Sequence, residues 1–220
     1  MNKAKIGQII SLLADAYGDR KWYKRLEPVG ELVLTILSQN TSDTNSRRAY
    51  TSLMETFDNW DRILGADTEE IASAIRSGGL ADVKAKYIKN ALQALKKETR
   101  DFDLSFLIDM TVEDARKWLI KLPGVGMKTA SCVLLFSMGM PAFPVDTHVY
   151  RVAGRLGLVG KKVSVDAAHL EMERMTPPED IYRCHVLLIE HGRRTCKAQR
   201  PLCPSCVLAK SCPSHKIFVK

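Results

Sequence analysis

Cys196, Cys203, Cys206 and Cys212 stand within 17 residues near the end of this 220-residue chain, in the spacing C-x6-C-x2-C-x5-C. A hydrophobic core has no use for four thiols on so short a segment; a tetrahedral metal ion or a metal cluster does. Pro201, Pro204 and Pro213 break regular helix there and bend the backbone. Beyond Glu190 the chain has no acidic side chain but seven basic ones: Arg193, Arg194, Lys197, Arg200, Lys210, Lys216 and Lys220. A metal-stapled basic loop of this kind suits a phosphate partner. Two disulfides are an alternative. The opening MNKAKIGQII, however, has neither the long apolar run nor the cleavage site of an export signal. The expected compartment is therefore the reducing cytoplasm, where clustered cysteines usually bind metal. Spacing alone leaves zinc and iron–sulfur both open, with zinc the commoner occupant.

The composition allows a buried core, with 45% hydrophobic and 26% charged residues. A net charge of +8 favours a polyanion. No apolar stretch approaches the roughly 20 residues needed to span a membrane. The periodicity predicts an all-α fold. Residues 5–17 put Ile6, Ile9, Ile10, Leu13 and Tyr17 on one face, and 29–38 form a buried helix. Asp67 and Glu70 form a capping box for a helix ending at Gly78-Gly79. Residues 81–97 carry an apolar face of Val83, Tyr87, Ile88, Leu92 and Leu95, and Thr111 caps 112–121. Further helices are predicted near 127–139, 147–157, 164–174 and 178–192.

The turn LPGVG, residues 122–126, joins two of these helices. Gly124 and Gly126 can both take positive φ and expose backbone amides at the start of the next helix. With the helix dipole, such amides bind phosphate. Lys128 follows just inside that helix, where the positive dipole end disfavours a cation and favours the neutral amine that a nucleophile requires. Asp146, in PVDTH, occupies a rigid turn before another helix. Taken singly, Lys128 reads as a surface lysine and Asp146 as a helix cap.

Together, LPGVGMKTA (122–130), PVDTHVYRVAGRLGLV (144–159) and the cysteine spacing closely resemble the endonuclease III family of DNA glycosylases, over roughly residues 25–215. LSQNTSD (37–43) and GGLADVKA (78–85) resemble that family's DNA-wedging loops. The resemblance implies a 4Fe–4S cluster on the four cysteines. It implies that Lys128 attacks C1′ of the damaged nucleotide, with Asp146 as proton acceptor or cation stabiliser. Gln39, Asn40 and Leu80 become candidates to fill the gap left by a flipped nucleotide. Gly124, Val125, Gly126, Thr129, His148, Arg193 and Arg194 become candidate DNA contacts. Through phosphates these contacts would position DNA without reading sequence.

The implied architecture is a six-helix domain (21–140) whose helix-hairpin-helix spans about 112–139, with a discontinuous cluster domain (1–20 and 141–220) and a DNA groove between them. The implied partner is duplex DNA with a damaged base or abasic site, bound by a monomer. The implied activity is excision of oxidised pyrimidines with AP lyase cleavage. A thymine, uracil or methylcytosine glycosylase is the alternative, and a non-catalytic iron–sulfur DNA-binding protein a third. The QN of the 37–43 loop also resembles plant demethylating glycosylases. Met127 stands where bacterial relatives often have Arg, and Ile120 where some have an acid. Cys132 and Cys184 read as core thiols and His191 as a support for the cysteine loop. Trp22, Tyr23 and Trp60 read as helix-packing residues.

Overall fold

Helix is the only regular secondary structure among the described residues of the computed structural model, which are 2–99 and 101–219, with Asn2 and Lys3 described for their backbone alone. Lys220, counted above among the basic residues, lies outside them. The helices are α1 (Asn2–Tyr17), α2 (Pro28–Leu37), α3 (Asp43–Phe57), α4 (Trp60–Gly65), α5 (Thr68–Ala74), α6 (Ala81–Thr99), α7 (Val112–Ile120), α8 (Met127–Met138), α9 (Thr147–Arg155), α10 (Val165–Met175), α11 (Ile181–Arg194) and α12 (His215–Phe218). They form two compact units. One runs from Lys24 to Met140; the other joins the residues up to Tyr23 with those from Pro141 onward.

In the first unit, α2 starts with Pro28 at its first turn and is buried from Val29 to Leu37. Such an all-round apolar helix must be surrounded, and α8, α3 and α6 pack against it. Glu31 is fully buried in this apolar wall. Arg25 answers it with a bidentate pair, one arm of which is Nε to Oε2 at 2.8 Å. Thr35 donates a third hydrogen bond to the carboxylate at 3.2 Å. Arg25 also lies over the Phe136 ring of α8, 4.1 Å from its centroid, and its amide donates to the Phe136 carbonyl at 3.0 Å. One ion pair thus fastens the start of α2 to the end of α8.

α5 opens on the expected capping box, with the Asp67 amide donating to Glu70 Oε2 at 2.8 Å. It ends at Ala74, and a 3-10 turn over Arg76–Gly78 completes the segment. Thr111 caps α7 as expected. Several elements differ from the sequence reading. α3 and α4, over 43–65, had no predicted counterpart. α3 buries only Ser46, Ala49 and Leu53, a narrow stripe of mostly small side chains that gives little hydropathy signal. In α6 the predicted face is rotated. Val83 and Tyr87 are exposed, and Lys84, Ala85, Ile88, Ala91, Leu92 and Leu95 are buried.

In the second unit, α1 buries Ile6, Ile9, Ile10 and Leu13 and packs on α11 and α10. α9 and α11 approach closely at Gly192, where a Cβ would sit 3.0 Å from the Cβ of His148. Cys132 in the first unit and Cys184 in the second are both buried core thiols. Trp22 and Tyr23 do not pack inside a helix bundle. They lie between helices, 43% and 61% exposed, with Tyr23 edge-on to Tyr182.

Replacing Arg25 by Met should strand the Glu31 carboxylate in an apolar wall and destabilise the first unit by about 3–5 kcal/mol. Arg25→Met/Glu31→Leu should recover most of that loss in chemical denaturation. An Arg25→Met midpoint equal to wild type would contradict this account.

Candidate nucleic-acid interface and catalytic site

The α7–α8 hairpin is built around one left-handed residue. Gly124 has φ +79°, and a Cβ there would come within 3.3 Å of the Tyr87 ring. Gly126 does not share that conformation. Its φ of −102° is open to any residue, and a Cβ would meet open space. The Val125 amide is spent inside the turn on the Leu122 carbonyl at 3.1 Å. Gly126 at the N-cap has no side chain to offer α8, which leaves the first amides of that helix without a side-chain cap from it. Arg116 of α7 braces the pair, donating from Nε to Ser131 Oγ of α8 at 3.3 Å.

The structure sorts the predicted hairpin residues. Lys128 is half-buried in the first turn of α8. The side chains of Val125 and Thr129 are buried. They pack beneath the turn, so a DNA contact at either position would run through its backbone.

Two loops of the same unit carry exposed residues in the left-handed region. Asn40 has φ +51° and is exposed, while Gln39 beside it is half-buried. Leu80 has φ +50° and is 58% exposed, following Gly79 at φ +65°. A leucine pays roughly 1–2 kcal/mol for such backbone and gains nothing here by burial. Strained backbone of this kind clusters at ligand-contacting positions in proteins.

The loops are stapled together by a residue that the sequence reading passed over. Lys84, in the first turn of α6, is only 2% exposed. Its ammonium donates to the Leu37 carbonyl at 2.7 Å, to the Gly78 carbonyl at 2.7 Å and to Thr41 Oγ1 at 3.2 Å. Thr41 Oγ1 itself donates to Gly78. Burial lowers the Lys84 amine below the ordinary lysine range. Its signal was its register: Lys84 precedes Ile88, Ala91, Leu92 and Leu95 on the buried stripe.

In the other unit, Asp146 caps α9, Oδ1 accepting from the Val149 amide at 2.7 Å. That oxygen performs the structural role; among the described residues Oδ2 has no hydrogen-bond partner. The turn before it is pinned at both ends. The Phe143 amide donates to Glu173 Oε2 at 2.9 Å, and His185 Nδ1 donates to the Pro144 carbonyl at 2.8 Å. His148 is half-buried and bonded to Arg151 at 3.1 Å. Burial, then the neighbouring arginines, hold it below the usual histidine range against the pull of Asp146. Arg193 is exposed at the end of α11. Arg194 is already engaged, with Glu190 at 3.0 Å and over the Tyr17 ring.

Cys196, Cys203, Cys206 and Cys212 line one pocket in this unit, walled by Val152, Leu156, Leu208 and Phe218. Short 3-10 turns at Cys203–Ser205 and Ala209–Ser211 fold the loop back on itself. Arg155 clamps its start, donating to the Lys197 carbonyl at 2.7 Å and to Cys196 Sγ at 3.4 Å. His191 supports it as expected. It is buried, bonded through Nδ1 to Tyr17 at 2.9 Å and set 3.7 Å from Cys206 Sγ through Nε2. Burial pushes that imidazole down to about 4. Burial, more than the neighbouring thiols, raises Cys203 and Cys206. Among the described residues, no three His, Cys, Asp or Glu side chains converge closely enough to grip a single metal ion.

Residues 33–178 match the model of the HhH-GPD superfamily of base excision DNA repair proteins. The chain is 39% identical to the endonuclease III of Sulfolobus acidocaldarius over 86% of its own length and 83% of that protein's. It is also 39% identical to a provisionally named DNA glycosylase of Arabidopsis thaliana over 84% of its own length, spanning 61% of that longer relative. Its fold superposes on an endonuclease III trapped in a covalent intermediate with DNA, with a TM-score of 0.85, 31% identity and full coverage of both chains. The chain therefore belongs to the HhH-GPD superfamily of base excision repair proteins and, within it, to the endonuclease III family.

Proposed function

We propose that this chain is a DNA glycosylase with AP lyase activity that removes oxidised pyrimidines and cleaves 3′ to the resulting abasic site. The observation that carries the reading is the α7–α8 hairpin: a positive-φ glycine turn, an uncapped helix start and a half-buried lysine one residue into that helix. Amides at a helix start hold a backbone phosphate, and this one would set the sugar near Lys128. A stacked base is out of reach, so the nucleotide must leave the duplex, at a cost of a few kcal/mol. Leu80 and Asn40, already extended into solvent, suit the space it vacates.

The chemistry then follows from the amine. The Lys128 Nζ lone pair attacks C1′ as the bond from C1′ to the base breaks, and the base departs with that electron pair and a proton. Asp146 has an oxygen left over from its capping role, which can take the ammonium proton or stabilise positive charge on the sugar. Ring opening yields an imine between Nζ and C1′. Loss of a C2′ proton then expels the 3′ phosphate, and hydrolysis of the imine frees Lys128.

The four cysteines suit a 4Fe–4S cluster. They line one apolar-walled pocket, and their C-x6-C-x2-C-x5-C spacing resembles the cluster loop of the family. When bound, the cluster supplies four covalent anchors that fix the loop. The basic side chains Arg193, Lys197 and Arg200 are exposed around that loop and suit phosphate contact.

Duplexes bearing a single oxidised thymine, a G·T or G·U mismatch, a methylated cytosine or an abasic site separate the readings. Cleavage of the oxidised and abasic duplexes is expected. Lys128→Ala should lose strand cleavage by roughly three orders of magnitude or more. Excision confined to the mismatches or to methylated cytosine would overturn the substrate assignment. Protein purified without air should be brown, with about four iron and four sulfide per chain. A colourless protein holding one tightly bound zinc would overturn the cluster assignment.

A further inference from the structure

We propose that Lys84 is a positioning residue that locks the 38–42 loop to the 78–80 turn, so that Asn40 and Leu80 enter DNA as one rigid wedge. The inference rests on the glycosylase reading above. An ammonium has three N–H donors, and here three acceptors meet them: Leu37 O, Gly78 O and Thr41 Oγ1. Leu37 is the last residue of α2 and Gly78 the last of the 3-10 turn. The cation therefore neutralises two carbonyls that helix ends leave unpaired. Among the described residues no carboxylate pairs with it, so its charge is compensated by these dipoles alone.

The location gives the staple its purpose. The 38–42 loop leaves α2 immediately after Leu37, and Leu80 follows Gly78 by two residues. The backbone amide of Lys84 also donates to the Leu80 carbonyl at 3.0 Å. One residue therefore grips the Leu80 segment by main chain and side chain, and the Asn40 segment by side chain. Thr41 closes the ring by donating to Gly78. Asn40 and Leu80, the strained residues, each lie within two positions of an acceptor of this staple. Strained backbone persists only where its surroundings over-determine it. A methionine at 84 would fill nearly the same volume but withdraw all three donors, leaving the Leu37 carbonyl without this partner and Gly78 tied to the 38–42 loop by the Thr41 hydroxyl alone. The loops would keep their sequences and lose their common frame.

A wedge acts on extrusion of a stacked nucleotide, whereas imine formation at an existing abasic site needs less of it. Wild type, Lys84→Met and Thr41→Val should be compared in single-turnover excision of an oxidised thymine and in borohydride trapping on a pre-formed abasic duplex. Fluorescence of a 2-aminopurine beside the target reports unstacking in the same samples. In Lys84→Met the ratio of excision to trapping should fall about tenfold and the fluorescence rise should be lost. Thr41→Val keeps the cation but loses one of its acceptors and the hydroxyl's own donation to Gly78; its ratio should fall about threefold, which tests the staple even where Lys84→Met does not fold. A wild-type ratio in Thr41→Val, or equal loss of excision and trapping in either folded variant, would overturn the proposal. A wild-type protein that neither excises nor traps would overturn the glycosylase reading itself, and the wedge with it.

Discussion

A carboxylate buried in an apolar wall is tolerable only when its partner is always present, and Glu31 makes Arg25 such a partner. The pair does more than neutralise charge. Arg25 is at once bonded to α2 through Glu31 and to α8 through its amide and the Phe136 ring. α2 delivers the 38–42 loop from its C-terminal end, and α8 presents Lys128 at its N-terminal end. Holding these two helices side by side brings the loop and Lys128, the proposed nucleophile, into one rigid unit. Packing alone would permit sliding of α2, whose apolar surface has little angular preference; a directional, bidentate ion pair does not.

The unit gathers its unfavourable features at the two exposed loops. Lys84 is a buried cation with no carboxylate partner among the described residues, and Leu80 is an exposed leucine with left-handed backbone. Each costs stability by itself. Together they make sense as a device that spends folding energy to aim two loops outward. In the other unit, Asp146 divides its two oxygens between a structural cap and an open position. The turn that holds it is pinned by Glu173 and His185, so its orientation is fixed before any ligand arrives. The cysteine loop is likewise prefolded, with Arg151 and Arg155 of α9 clamping its first carbonyls.

Much of this was legible in the sequence because the signals were chemical. Four thiols in 17 residues, a capping box and a Gly-x-Gly turn before a lysine each demand a local geometry, and the helices they bound were found. The failures were where the signal is collective. α3 buries Ser46, Ala49 and Leu53, so its face carries little hydropathy contrast. In α6, hydropathy chose Val83 and Tyr87, while the fold buries Lys84 one position along. No scale assigns a lysine to a core, because its burial depends on carbonyls from two distant segments. Gly126 was misread for a related reason: composition shows that glycine can turn left, and only the packing of Tyr87 against Gly124 shows which one must.

The account stands or falls on Lys128 as the nucleophile. Borohydride reduction of the wild-type protein on abasic duplex DNA, followed by proteolysis and mass spectrometry, locates the amine directly. The adduct is expected on the peptide carrying Lys128, with Lys128→Ala giving none. An adduct on the N-terminal amine or another lysine, or one undiminished in Lys128→Ala, would contradict it.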